Sequence, residues 1–133
     1  MSEQRFPYQG DPLRPLVKLT FADANGVNRT LSLIADTGCP FEVILSEDWF
    51  DQLVHTHTDE IESNFGFMST GWIQLYMPEM GLVELINGCG SKEVGEIVSD
   101  DHQAFVGLVG LPILRLGEFG GNATEFWFRY PGT

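Results

Sequence analysis

The amino-acid sequence predicts a mainly β domain with one or two short helices, and three stretches predict it. Residues 16–21 alternate Val17, Leu19 and Phe21 with Lys18 and Thr20, the period-two pattern of a half-buried strand. Apolar runs at 72–77 and 82–86 flank the turn residues Pro78-Glu79-Met80-Gly81 and read as two more strands. Near the end, Glu125-Phe126-Trp127-Phe128-Arg129-Tyr130 is an aromatic-rich strand that closes a sheet or pairs across a dimer. With 133 residues and 43% apolar composition the chain is long enough for one domain with a core of its own, without disulfide staples.

In chain order, residues 1–15 set Pro7, Pro12 and Pro15 among polar groups. The prolines oppose regular structure, so this segment reads as an extended N-terminal arm ahead of a single domain over 16–133. Asn25-Gly26 closes a hairpin through a turn of the primed kind, and the returning strand, residues 28–35, ends at Asp36. Ser46 stands as an N-cap before Glu47 and Asp48, whose charges suit a helix N-terminus, and Trp49, Phe50, Leu53 and Val54 form a helical apolar face. Residues 55–70 are polar and irregular. Asn87-Gly88-Cys89-Gly90 reads as a loop, after which Ser91 caps a second short helix with Val94, Ile97 and Val98 at helical spacing. Phe105-Val106-Gly107-Leu108-Val109-Gly110 is an apolar strand running into Leu111-Pro112-Ile113-Leu114, where Pro112 suits a first helical turn and Gly117 its end. Gly120-Gly121-Asn122 turns the chain into the last strand.

One stretch carries chemistry. Asp36-Thr37-Gly38 follows the apolar run Leu31-Ser32-Leu33-Ile34-Ala35 and precedes Cys39-Pro40-Phe41-Glu42-Val43-Ile44-Leu45. The acid therefore sits in a loop between two core strands rather than on a solvated face. Ordinary turn chemistry also puts Asp and Gly between strands. A second carboxyl close to a partly desolvated one makes the pair share a proton. One member then acts as a base toward water while the other donates a hydrogen bond to a carbonyl. Gly38 lets the backbone turn sharply and bring an amide to the carboxylate, and Thr37 offers a hydroxyl for locking the loop.

The Asp36-Thr37-Gly38 loop with its flanking apolar runs, and Leu108-Val109-Gly110 within residues 105–114, resemble the active-site loop and supporting strand of the retropepsin-like aspartic proteases. The resemblance covers roughly residues 16–130, with specificity in those two motifs. It implies a closed β-barrel of the acid-protease fold, with Asp36 catalytic, Thr37 and Gly38 positioning it, and Leu108, Val109 and Gly110 supporting the loop. Because the chain holds one such tripeptide, it implies a homodimer in which Asp36 meets its symmetry mate, with a peptide or protein substrate and no cofactor. Phe65, Gly66 and Phe67 are flap-tip candidates by the same resemblance, the alternative being an ordinary hairpin turn with two exposed aromatics. The chain departs from the family at Pro112, where Asp or Asn is usual, and at Cys39-Pro40, where Ala or Ser and then a flexible residue are common. Those departures motivate an alternative, a catalytically inactive peptide-binding or dimerisation module of the same fold.

Other chemistries fare less well. A net charge of −12 excludes the basic surface that nucleic acid needs. No run is long enough for a membrane span and no signal pattern opens the chain, so the expectation is a cytoplasmic protein without a membrane partner. Cys39 and Cys89 are expected to be free thiols, and the adjacent acid disfavours a reactive thiolate at Cys39. His55 and His57, with Asp59 and Glu60 behind them and His102 as a distant third ligand, suggest a metal through their alternate spacing. A solvated loop is the more ordinary reading, and no metal is expected. Asp100 and Asp101 read as a solvated face. Serine hydrolysis lacks a glycine-flanked nucleophile, and no phosphate-binding glycine loop is present.

Overall fold

The computed structural model describes residues 2–100 and 105–130; Asp101 and His102 lie outside them, as do the side chain of Asp100 and residues 131–133. The strands are β1 (Ser2–Pro7), β2 (Leu16–Ala22), β3 (Asn28–Asp36), β4 (Val43–Leu45), β5 (Thr56–Ser63), β6 (Gly66–Met77), β7 (Leu82–Ser91), β8 (Phe105–Gly110), β9 (Glu118–Gly121) and β10 (Glu125–Tyr130). Among the described residues three short α-helices accompany them, α1 (Glu47–Leu53), α2 (Lys92–Asp100) and α3 (Leu111–Leu114), with a 3-10 turn over Pro78–Met80.

The larger sheet runs β2-β3-β8-β4-β7-β6-β5, and a further pairing of β2 with β6 closes six of these strands into a barrel. Closure uses Phe21 opposite Leu75 and Ala22 opposite Gln74. Closing removes two sheet edges, and β5 is left as the outer strand. Alternation along each strand fills the barrel. Val17, Leu19 and Phe21 of β2 and Leu31, Leu33 and Ala35 of β3 point inward, joined by Val43, Leu45, Val109, Ile73 and Leu75.

The β2–β3 hairpin is longer than a two-residue primed turn. Its last ladder pair is Ala22 with Asn28, leaving residues 23–27 as the loop. Gly26 takes the left-handed conformation at φ +79°, and its N–H bonds to the Asp23 carbonyl at 2.9 Å. The buried Asp23 carboxylate accepts from the N–H groups of Val27 and Asn25, each at 2.9 Å. The Val27 bond leads in holding that carboxyl below its ordinary range.

Other expectations change too, Gly120 and Gly121 among them, which belong to β9 rather than to a turn. Ser2–Pro7 is a strand, paired with Glu125–Tyr130 in a second sheet of order β1-β10-β9. Pro7 is tolerated because β1 is an edge strand of that sheet. Residues 55–70 are regular, forming the β5–β6 hairpin. Residues 87–90 are not a loop but part of β7. A Cβ on Gly88 would strike the Ile73 side chain and one on Gly90 would meet Phe50 at 2.7 Å, so the glycines make room for close packing rather than a turn. Ser46 precedes α1 without a side-chain capping bond, whereas the buried Ser91 hydroxyl accepts from the Val94 N–H at 3.1 Å and caps α2 as expected.

Candidate functional site

Asp36 is the last residue of β3, and in the parallel ladder with β8 it faces Gly110, as Ala35 faces Val109 and Ile34 faces Leu108. On its other side β8 runs antiparallel to β4, with Val43 opposite Val109 and Ile44 opposite Leu108. The strands before and after the acid loop are thus held apart by β8, and the loop between them must cross its end.

Backbone bonds fix that crossing. The Gly38 N–H donates to Asp36 Oδ1 at 2.9 Å, and the Cys39 N–H to the Asp36 carbonyl at 3.1 Å. The Gly110 N–H donates to the Glu42 carbonyl at 2.9 Å and the Leu111 N–H to the Cys39 carbonyl at 3.1 Å. The approach is so close that a Cβ on Gly110 would run into the Phe41 carbonyl oxygen and stand 2.7 Å from that of Cys39. Only glycine fits there. A Cβ on Gly38 would meet Asp36 Oδ1 at 3.3 Å, so this glycine keeps the carboxylate close to the amide.

Asp36 is half-buried, while Thr37 and Gly38 are exposed. Beside them lies a recess of about 350 Å³ lined by Thr37, Gly38, Cys39, Pro40, Leu111, Pro112 and Arg115. Pro112, in place of a polar side chain, leaves α3 to brace the loop through the Leu111 amide. Arg115, exposed at the end of α3, is a residue that sequence reasoning passed over; its only signal was a cation shortly after an apolar turn. Glu42 was also passed over. Its carboxylate accepts from the Asn87 N–H at 3.0 Å, and burial, aided by Glu84, pushes it above the usual carboxylate range.

The Cys39 thiol is buried, and burial raises its pKa, with the Asp36 charge adding in the same direction. It stays protonated at neutral pH and is no nucleophile. Cys39 and Cys89 are both free. Among the described residues no three His, Cys, Asp or Glu side chains converge as a metal requires. His55 Nε2 lies 2.9 Å from the Ala22 carbonyl, and His57 stands edge-on to Phe50. Among the described residues no helix is long and apolar enough to cross a membrane.

The flap-tip candidates divide. Phe65 packs inward onto a cluster that contains Ile34 and Cys39, and its carbonyl accepts from the Ser91 hydroxyl at 3.2 Å. Gly66, at φ +78°, abuts the Glu93 side chain. Phe67 is 71% exposed and belongs to no packed cluster.

A six-stranded barrel with an acid loop braced on the end of an inserted strand is the retropepsin-like fold. The chain is similar to the crystal structure of a retropepsin-like aspartic protease from Rickettsia conorii, with a TM-score of 0.53 over 96% of this chain and 99% of that one, at 14% identity. No family model matches the chain, and no curated protein matches it in sequence.

Proposed function

We propose that the chain is a homodimeric aspartic endopeptidase in which Asp36 and its symmetry mate form the catalytic pair. The observation that carries this reading is the placement of Asp36 at the end of β3 against Gly110, its Oδ1 held by the Gly38 amide, within a retropepsin-like fold. One ionised carboxylate takes a proton from water as the water oxygen bonds to the peptide carbonyl carbon. The protonated partner carboxyl supplies a hydrogen bond to the carbonyl oxygen, which gathers charge. Collapse of the tetrahedral species breaks the C–N bond as the amine nitrogen receives a proton. Water is the nucleophile, so the step needs neither a covalent intermediate nor a metal. The substrate lies extended and adds its backbone to strand edges, which presents side chains to alternate sides.

A second reading, a peptide-binding or dimerisation module without turnover, is favoured by the departures at Cys39 and at Pro112, the latter standing beside the loop without a polar side chain to brace it. One comparison separates the two. A mixed peptide library, incubated between acid and neutral pH with the protein and with Asp36→Asn, is cleaved by the first and not by the second. Equal cleavage by both, or by neither, defeats the enzyme reading.

A further inference from the structure

The barrel wall has two apolar sides. Leu33, Ala35, Val43, Leu45 and Val109 fill the interior, while Ile34, Leu108, Ile44 and Cys89 belong to a separate cluster on the other side. Those four form one row across four strands, since Ile34 faces Leu108, Leu108 faces Ile44, and Ile44 faces Cys89. Two residues beyond Ile34 on the same strand, Asp36 falls on the outer side with this row. An extended peptide that brings a carbonyl to Asp36 has to lie along it.

The row is already covered. Val94 and Val98 of α2 are 0% and 2% exposed and pack in the same cluster, together with Phe65 and Met68 of the β5–β6 hairpin. The remaining face of α2, with Lys92, Glu93, Glu96 and Ile97, is exposed, so the helix sits across the row with its apolar stripe down. One buried hydroxyl joins the two covering elements: Ser91 Oγ accepts from the Val94 amide at 3.1 Å and donates to the Phe65 carbonyl at 3.2 Å.

We infer that α2 is a cover over the Asp36 side of the barrel, which an extended peptide with apolar side chains displaces by replacing Val94 and Val98 on the Ile34–Leu108–Ile44 row. This rests on the endopeptidase reading. The unliganded chain then holds its own cleft shut, and apparent affinity for peptide is lowered by the fraction of molecules in which α2 is seated. Peptides rich in apolar residues compete for the row, whereas charged ones have no means to replace two buried valines.

A reversible lock tests the cover. A Cβ on Gly95 would stand 3.2 Å from the Ser46 Cβ, close to the spacing of a disulfide, so Ser46→Cys with Gly95→Cys pins α2 beside the start of α1. Peptide cleavage by the oxidised double variant is expected to fall about tenfold or more below that of the same protein after reduction. Equal rates in the two states overturn the cover. Cleavage by neither state, with none by the unsubstituted chain, removes the endopeptidase reading instead. The cover is then judged by alkylation of the buried thiols, followed peptide by peptide by mass. Cys39 and Cys89 should react about tenfold more slowly in the oxidised protein if seating of α2 protects them. Equal alkylation overturns it.

Discussion

Burial, aided by the neighbouring Cys39 and Glu42, pushes the Cys89 thiol from its ordinary 9.0 up to about 11. The thiol is neutral when protonated, so a raised folded pKa means that the unfolded chain sheds its proton first as pH climbs. Below pH 9.0 both states hold the proton and stability is fully present; between 9.0 and about 11 it is lost. At about pH 10.5 that difference amounts to about 2 kcal/mol, using about 1.4 kcal/mol per pKa unit. Urea midpoints at about pH 8 and pH 10.5, for the protein and for Cys89→Ala, check this against the titration of every other group. The unsubstituted chain should lose more stability across the interval than the variant, and an equal loss would show that Cys89 is not what titrates. Cys39 is shifted the same way, so some decline persists in the variant. The same shifts describe two thiols that stay protonated at neutral pH.

At the scale of elements, β8 decides the site, because it is wedged between β3 and β4 and glycine lets the acid loop cross its end. Gly110→Ala drives a methyl group into the carbonyl oxygens of Phe41 and Cys39, which are backbone and cannot swing aside. A loss of about 2–3 kcal/mol is expected, the upper range for overpacking. Gly26→Ala makes the contrast: nothing lies within 4 Å of its Cβ, and only φ +79° opposes it, for about 1 kcal/mol. Urea denaturation of both variants should rank them in that order, and only Gly110→Ala should also impair the acid loop. Much of this was legible in the sequence. Period-two alternation marked β2, the Asn25-Gly26 turn and the apolar run ending at Asp36 marked β3, Ser91 marked the start of α2, and the acid tripeptide and Leu108-Val109-Gly110 were visible as motifs. Residues 87–90 were misread because glycine signals a turn locally, whereas here Ile73 and Phe50 occupy the space of the missing side chains. The pairing of Ser2–Pro7 with Glu125–Tyr130 joins the two ends of the chain, which no local pattern encodes. Helical spacing likewise showed that Val94 and Val98 face something apolar, but not that it is the side of the barrel bearing Asp36.

Across the whole molecule, one chain supplies one acid loop and a net charge of −12. The proposed pair therefore exists only in a dimer, and two such subunits repel each other before they touch. Activity then has to depend on concentration. Diluting the protein about 100-fold through its dissociation constant should lower the rate per subunit, because the monomer holds half of the pair. The repulsion gives this a second signature. At about 0.1 M salt the screening length is about 10 Å, and it shortens to about 3 Å at 1 M, so added salt should favour association between acidic subunits. The dilution midpoint is expected to move to lower protein concentration as salt rises, measured by rate and by sedimentation on the same samples. A simple salt effect on substrate binding would change the rate at every concentration without moving that midpoint. A rate per subunit that stays constant on dilution, in a sample sedimenting as a single chain, would mean that Asp36 acts without its mate, and the shared-proton mechanism would then have no second carboxyl to share with.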